Sequence, residues 1–188
     1  MKPVTPLAVK DRAAWRAWLE RNHDKSQGVW LRVAKKHADG VHYEEAVEEA
    51  VCYGWIDSNV HRLDEDSYRQ WFSPRKPTSA WSQSNKERVE RLKKAGCMTE
   101  AGLTAIRAGK KSGSWDRLTG VDNLEVPPDL RAALAKNKQA GKNFEKLAPS
   151  HKKQYIFWIE EARRDETRKR RISETVRLAA EGKKSRVE

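Results

Sequence analysis

The sequence predicts an α+β fold, in which helices pack on a small antiparallel sheet and a helical C-terminal region follows. Segments with helical and with strand periodicity alternate over residues 1–109. Residues 55–73 contain two strand-like runs separated by an acidic turn at residues 64–66, which is the pattern of a β-hairpin. From Pro127 onwards the apolar residues recur only at helical spacing. These observations place the sheet in the first half of the chain and helices alone in the last third.

Each N-terminal element is predicted by its own pattern. Residues 11–22 carry their apolar side chains on one helical stripe, and residues 29–33 alternate between apolar and polar side chains as a strand does. The Asp-Gly dipeptide at residues 39–40 is a turn signal after that strand. Residues 42–53 again have helical spacing and are followed by Gly54, a residue type that commonly ends helices.

Two further helices are predicted after the hairpin. Ser84 and Glu87 stand three residues apart as in a capping box, which predicts a helix from Ser84 to Gly96. Thr99 begins another helix, which we expect to end at Gly109. The predicted organisation is an α+β domain at residues 1–109, a connecting segment at 110–126, a helical C-terminal region at 127–182 docked on the first domain, and a loose tail at 183–188.

The composition predicts a basic protein that contacts anions. The 188 residues carry a formal net charge of +12, and charged residues make up 35% of the chain. Such an excess favours contact with polyanions such as nucleic acid. Two cysteines do not make a disulfide framework, and the chain has neither the apolar run of a signal peptide nor a stretch long enough to span a membrane. We therefore expect a cytoplasmic protein without a membrane span.

The sequence contains no dinucleotide-binding, serine-hydrolase or zinc-protease motif and no complete P-loop, so we predict no cofactor. The oligomeric state is left open by the sequence.

The hairpin carries a set of side chains suited to binding a ligand. If the three-residue turn determines the register, one face of the hairpin combines a carboxylate, an imidazole, a guanidinium and an indole. The residues of this face are Asp57, Asn59, His61, Arg69, Trp71 and Ser73. The alternative is that His61 and Arg69 form a solvated cross-strand pair while Trp71 covers the edge of the core.

The segment after the hairpin predicts an anion site at a helix start. It delivers cations, hydroxyls and an indole to a helix N-terminus, where free N–H groups favour phosphate or carboxylate. The complete predicted ligand-binding set is Trp55, Asp57, Arg69, Trp71, Arg75, Lys76, Trp81, Ser82 and Lys86. In this hypothesis Trp55, Trp71 and Trp81 converge in one neighbourhood. The alternative is that Ser82 and Ser84 only cap the helix and that Trp81 only anchors the loop to the core.

Two other functions are predicted by different residues. Asp57 and His61 are the candidate catalytic residues of an enzyme that uses one carboxylate and one imidazole as acid and base. Glutamates at positions 44, 45, 48 and 49 form i,i+4 pairs, in which Glu45 and Glu48 are the weak candidates for a metal such as iron. The alternative for these glutamates is a solvated helix face, and no tight metal site is predicted.

A basic run in the last predicted helix is the candidate surface for nucleic acid. Arg164, Arg168 and Arg171 share one helical face, which we expect to be solvated and which can follow a phosphate backbone. Acidic residues interleave with these arginines, so pairing within the helix competes with contact to phosphate.

The sequence resembles a known family in two separate blocks. The first contains AVCYGWIDS (50–58), FSPRKPTSAWSQSNKERVERL (72–92) and GCMTEAG (96–102), and the second contains PPDLRAAL followed by KKQYIFWIEEARRDETRKRRISETVRLAAEGKK. Both resemble the YdeI/OmpD-associated family, also labelled bacteriocin-protection.

This resemblance implies a frataxin-related, YjbR/CyaY-like fold, with iron or DNA as ligands by analogy with that wider group. The function we predict is a non-enzymatic cytosolic protein that binds an anion or polyanion, with a role in stress or bacteriocin protection. The alternatives are the enzyme that uses Asp57 and His61 and a weak iron chaperone.

Overall fold

The computed structural model describes residues 5–185 and divides into two compact units, one ending at Asp116 and the other beginning at Arg117. Unit 1 contains α1 (Arg12–Asn22), β1 (Val29–Ala34), α2 (Tyr43–Cys52), β2 (Trp55–Arg62), β3 (Ser67–Pro74), α3 (Gln83–Lys94) and α4 (Glu100–Ser112). Unit 2 contains α5 (Thr119–Asp122), α6 (Pro128–Ala135), α7 (Lys138–Glu145), α8 (Pro149–Glu160) and α9 (Asp165–Ala180). The predicted α+β class is confirmed.

The sheet of unit 1 is antiparallel and has the strand order β1-β3-β2. One of its faces carries Leu31, Val33 and Phe72, which are fully buried together with the apolar side of α2. Successive side chains of a strand point to opposite faces, so the strand neighbours Trp30, Arg32 and Trp71 lie on the other face. The small antiparallel sheet agrees with the prediction, while the frataxin-related fold stays a prediction.

A β-bulge changes the predicted register of the hairpin. Near the turn, His61 pairs with Arg69 as predicted, but beyond the bulge Asp57 pairs with Phe72. Ser58 and Asn59 together lie opposite the single residue Trp71, and one extra residue moves every following side chain to the other face. The predicted common face is therefore wrong for Asp57, which lies on the helix-covered side, whereas His61 lies on the opposite side.

Two predicted helix ends are also corrected. The N-cap of α3 is Ser82, whose hydroxyl oxygen accepts a hydrogen bond from the Asn85 N–H, so the helix begins before Ser84. Helix α4 continues past Gly109 to Ser112 and ends at Gly113 in the left-handed conformation. Together with α5, this extension makes part of the predicted irregular segment 110–126 helical.

Helices α2 and α4 approach so closely that Gly102 has no room for a side chain. A Cβ atom built on Gly102 would lie 2.3 Å from the carbonyl oxygen of Cys52. The same carbonyl accepts a hydrogen bond of 2.6 Å from the Thr99 hydroxyl, which fixes the start of α4 against the end of α2. A glycine within a helix is tolerated here because the close approach requires it.

Replacing Gly102 by alanine is expected to lower the free energy of unfolding by about 1–3 kcal/mol, because the helices must separate to admit the methyl group. Thermal unfolding followed by circular dichroism measures the change. Gly120→Ala is the matched control, since its Cβ would meet only the movable side chain of Glu125. Equal stability of the two variants would contradict the close packing of α2 and α4.

The regular elements of unit 2 are helices along its described length, as predicted from Pro127 onwards, and the unit has its own apolar core. This core contains Leu130, Leu134, Ala140, Phe144, Tyr155, Ile159, Ile172, Leu178 and Ala179. Of the predicted tail, residues 183–185 follow the end of α9, and residues 186–188 lie outside the described residues. Within the described chain, no helix combines the length and the apolar content that crossing a membrane requires.

Candidate functional site

The centre of the candidate site is the side chain of Arg75, which follows β3 directly and is held in one orientation. Its backbone N–H donates to the Gly54 carbonyl at 3.0 Å, and its Nη1 donates to the Ala80 carbonyl at 2.9 Å. The guanidinium carbon lies 3.8 Å from the ring centroid of Trp81, a cation–π contact. With 9% of its surface exposed, Arg75 is a cation inside the protein.

The other edge of this guanidinium makes no hydrogen bond to the part of the chain that the structure describes. Nε and Nη2 of Arg75 are both buried, and neither donates a hydrogen bond to any residue in the described range 5–185. Buried donors are nearly always satisfied, because each unsatisfied one costs about 1–3 kcal/mol and more when it is charged. Burial lowers the pKa of Arg75 to about 10, and the carboxylate of Asp57 opposes this shift. The side chain is still charged at neutral pH.

The bulge in β2 turns Asp57 to the core side of the sheet, where its charge acts on Arg75. One of its carboxylate oxygens, Oδ2, accepts hydrogen bonds from the hydroxyl of Tyr43 at 3.2 Å and from Nε2 of Gln70 at 3.0 Å. Gln70 is buried and also donates to the Ser58 carbonyl within the bulge. The carboxylate is thus oriented by two neutral donors, which leaves its charge to act on Arg75.

A second arginine, Arg88 of α3, adds a cation near this group. Its Nη1 donates to Asn85 at 3.0 Å, while Nε and Nη2 hold Glu44 at 2.9 and 2.6 Å. These hydrogen bonds join α3 to α2 through Glu44. The charge of Arg88 contributes to the electrostatics of the site, while its donors are occupied by Asn85 and Glu44. Of these two arginines, Arg75 is the one with a pair of donors that have no hydrogen-bond partner in the described part of the chain.

Tyr43 gives the site a testable pH dependence. Partial burial raises its pKa to about 12, and the charge and hydrogen bond of Asp57 act in the same direction. An unperturbed tyrosine has a pKa of about 10, so between pH 10 and 12 the folded protein holds a proton that the unfolded chain releases. We expect stability from this group to be complete below pH 10 and to be lost as the pH rises to 12. Absorbance titration of phenolate should show one ionisation near pH 12 that Tyr43→Phe removes.

The three tryptophans predicted to converge do not do so. Trp55 is buried beneath the sheet, where its Nε1 donates to the His23 carbonyl at 3.1 Å. Trp81 is buried too, but packs against Trp115 at 5.0 Å between ring centroids. Trp71 lies on the opposite face of the sheet. The prediction of one aromatic cleft is therefore wrong, because the bulge and the pleat divide its residues between two sides.

The remaining members of the predicted set have other roles in the structure. Lys76 is exposed, and Ser82 uses its hydroxyl to cap α3. Lys86 pairs with Asp116 at 3.4 Å and lies over the ring of Trp115. Of the residues predicted to hold an anion at the helix start, Arg75 is the one with two buried donors that lack a hydrogen-bond partner within residues 5–185.

The acid–base pair of the enzyme hypothesis is not formed. Asp57 and His61 lie on opposite faces of the sheet, as their partners in β3 show. His61 instead packs its ring edge-to-face on Trp30, with 5.1 Å between the ring centroids. The two side chains cannot act together on one substrate in this arrangement.

The carboxylates of helix α2 do not form the exposed face that the sequence indicates. Glu48 is bound by Arg12 and Arg91 at 2.8 and 2.6 Å, and Glu49 is almost fully buried. Glu45 caps its own helix by accepting from the His42 N–H. Helices α1 and α3 flank α2 and supply these arginines. In residues 5–185, no cluster of three or more acidic, histidine or cysteine side chains is arranged to hold a metal ion.

The arginines of α9 are also more engaged than predicted. Arg168 holds Asp129 at 2.5 and 3.0 Å and Glu160 at 3.0 Å, and Arg171 stacks on Trp158 and donates to its carbonyl. Of the three predicted arginines, Arg164 is exposed, and Arg168 and Arg171 are half-buried. The expectation of one solvated basic face is wrong, because two of its three members stabilise unit 2.

Unit 2 contains a cavity of about 880 Å³ that the sequence does not indicate. Its wall includes apolar side chains such as Val121 and Phe144 and both signs of charge at the rim, as in Arg131 and Glu145. Leu124 also lines this cavity. Its φ angle is 59°, a left-handed backbone conformation that residues other than glycine rarely adopt. The leucine ends α5 where glycine is usual, which places an apolar side chain at the cavity.

Sequence comparison identifies two family models along the chain. Residues 7–105, more than half of the chain, match a model described as Domain of unknown function (DUF8412). Residues 123–182 match a model described as Bacteriocin-protection, YdeI or OmpD-Associated. No curated protein and no solved structure matches the chain. The chain therefore belongs to the family described as Domain of unknown function (DUF8412), and its helical unit supports the predicted membership of the YdeI/OmpD-associated family.

Proposed function

We propose that the protein binds a small ligand through a carboxylate or phosphate group, which the Nε–Nη2 edge of Arg75 receives. The observation that carries this proposal is the buried, oriented guanidinium, whose Nε and Nη2 donors have no hydrogen-bond partner in residues 5–185. These two N–H groups are parallel and match the two oxygens of a carboxylate or phosphate. An oxyanion would satisfy both donors and neutralise the buried charge in one step.

The groups around Arg75 favour binding over acid–base catalysis. A general acid or base works best with a pKa near the working pH, whereas the pKa of Tyr43 is raised to about 12. Asp57 is held by two neutral donors and balances part of the charge of Arg75. The polar side chains of the site are thus held in fixed orientations, and the charge of Arg75 is partly balanced by Asp57, as in a preorganised binding site.

Cellular role and location are part of the same proposal. The description of the model matched by unit 2 supports a role in protection against bacteriocins. We place the protein in the cytoplasm, and we propose a frataxin-related arrangement for unit 1. A role as an iron chaperone is less well supported, because Glu48 and Glu49 are occupied by arginines.

Isothermal titration calorimetry with inorganic phosphate and with acetate tests the proposal. Arg75→Lys keeps the charge but removes the paired donors, and we expect it to weaken binding by about 10- to 100-fold, as the loss of a charge-assisted hydrogen bond does. Lys76→Gln is the matched control, since it removes an exposed cation from the next position, and its affinity should equal that of the wild type.

Two results would contradict the proposal. One is an absence of heat with both anions for wild-type protein that circular dichroism shows to be folded. The other is equal affinity of wild type and Arg75→Lys, since the binding would then come from general positive charge.

A further inference from the structure

We propose that the face of the unit 1 sheet opposite its core binds single-stranded nucleic acid by stacking bases on Trp30 and Trp71. This surface, called here the tryptophan face, consists of Trp30, Arg32, His61, Arg69 and Trp71. It is separate from the Arg75 site and adds a second kind of ligand to the proposed function.

The strand pairing brings the side chains of the tryptophan face together. Trp30 pairs with Trp71, and Arg69 pairs with both Arg32 and His61 across the two strand interfaces. The ring of Trp30 lies 5.3 Å from that of Trp71 and 5.1 Å from that of His61. The guanidinium of Arg69 lies 4.8 Å from the ring centroid of Trp30. These contacts make a continuous aromatic and cationic surface across all three strands.

The exposure of this surface suits stacking. Trp30 and Trp71 are half-buried, His61 is exposed, and 44% of the Arg32 side chain is accessible to solvent. Unpaired bases offer flat π-surfaces that stack on aromatic side chains, while the bases of a duplex are stacked on each other and are not available. A sheet face with two indoles and two arginines therefore fits a single strand better than a duplex.

The charge of the face indicates that stacking, rather than phosphate contact, dominates. The chain has a net charge of +12, which favours approach of a polyanion. On the face itself, however, Arg32 lies 3.6 Å from Asp64, and Arg69 is engaged by Trp30. One or two phosphate contacts are then expected, which correspond to a log–log salt slope of about −0.7 to −1.4.

Gly28 positions one of the two indoles. A Cβ atom built on Gly28 would lie 2.3 Å from Cζ2 of Trp71, so the ring occupies the space that any side chain would need. Gly28 also has a φ angle of 146°, which a residue with a side chain rarely adopts. The glycine therefore leaves the room that the indole of Trp71 occupies.

Fluorescence anisotropy of a labelled oligo-dT strand tests the inference. We expect Trp71→Ala to weaken binding by about 5- to 150-fold, the range for loss of one stacked base, and Trp71→Phe to retain most of the affinity. Arg32→Gln should weaken binding and make the salt slope shallower by about 0.7. Arg177→Gln removes the same charge from an exposed position of α9 and should leave the affinity unchanged.

Several results would overturn the inference. These are no binding of the strand at low salt, equal affinity of Trp71→Ala and wild type, equal effects of Arg32→Gln and Arg177→Gln, or tighter binding of a duplex of the same length. Thermal unfolding of each variant separates loss of binding from loss of the folded structure.

If Trp71→Ala does not fold, the Trp71→Phe and Arg32→Gln variants provide the test. Since Arg75 lies elsewhere, failure here leaves the oxyanion proposal intact, and failure of that proposal leaves this one intact.

Discussion

Replacing Trp15 by alanine is expected to lower the free energy of unfolding by about 3–5 kcal/mol. The indole is fully buried at the centre of unit 1, stacks on Trp18 with 5.3 Å between centroids, and packs against Phe72. Its Nε1 also donates to the Ala46 carbonyl at 3.0 Å, which ties α1 to α2. Alanine leaves a cavity and removes the hydrogen bond that joins α1 to α2, so packing and hydrogen bonding are lost together.

Urea unfolding followed by circular dichroism measures this change. Val60→Ala is the control, because Val60 is 56% exposed and its truncation should change stability by no more than about 0.5 kcal/mol. A loss below about 1 kcal/mol for Trp15→Ala would show that the indole is not the centre of the core that the structure describes.

The second large effect is expected from removing the arginines that neutralise Glu49. This carboxylate is 3% exposed and is held by Arg12 at 2.6 Å and by Arg16 at 2.7 Å. The double variant Arg12→Gln/Arg16→Gln leaves a buried carboxylate without a counter-charge, which typically costs about 3–5 kcal/mol. Urea unfolding provides the measurement.

A further substitution separates the buried charge from general disruption. Adding Glu49→Gln to the double variant removes the stranded charge, so we expect it to restore part of the lost stability. The three substitutions are coupled through direct contacts and should therefore be strongly non-additive. If the triple variant is less stable than the double variant, the loss comes from packing of the arginine side chains and not from the isolated carboxylate.

Much of the fold follows from local patterns in the sequence. The helices around Trp15 and Ala46, the strand at Leu31 and the hairpin are all predicted by the spacing of their apolar residues. The bulge at Ser58 and Asn59 is not predicted, because a single extra residue leaves no periodic signal. That one irregularity decides which face Asp57 occupies, and with it the composition of the site.

The candidate site is predicted in part. Arg75 and Asp57 belong to the predicted set, whereas Tyr43 and Gln70 are missed because they contact Asp57 from another helix and another strand. Their residue types belong to no motif that the sequence analysis recognises. Long-range pairing also explains the error at Glu48, since the arginines that bury it are far away in sequence. Sequence patterns describe the faces of single elements but do not say which charges from other elements meet them.

The central claim is that the Nε–Nη2 edge of Arg75 receives an oxyanion, and the Nε–H resonance of this arginine tests it most directly. Nuclear magnetic resonance of wild-type protein during titration with inorganic phosphate follows all arginine Nε–H signals, and the signal missing in Arg75→Lys identifies Arg75. The account predicts a saturable shift of this resonance, with the same midpoint in Lys76→Gln. An unchanged Arg75 resonance at every phosphate concentration, while circular dichroism shows the protein to be folded, would contradict the account.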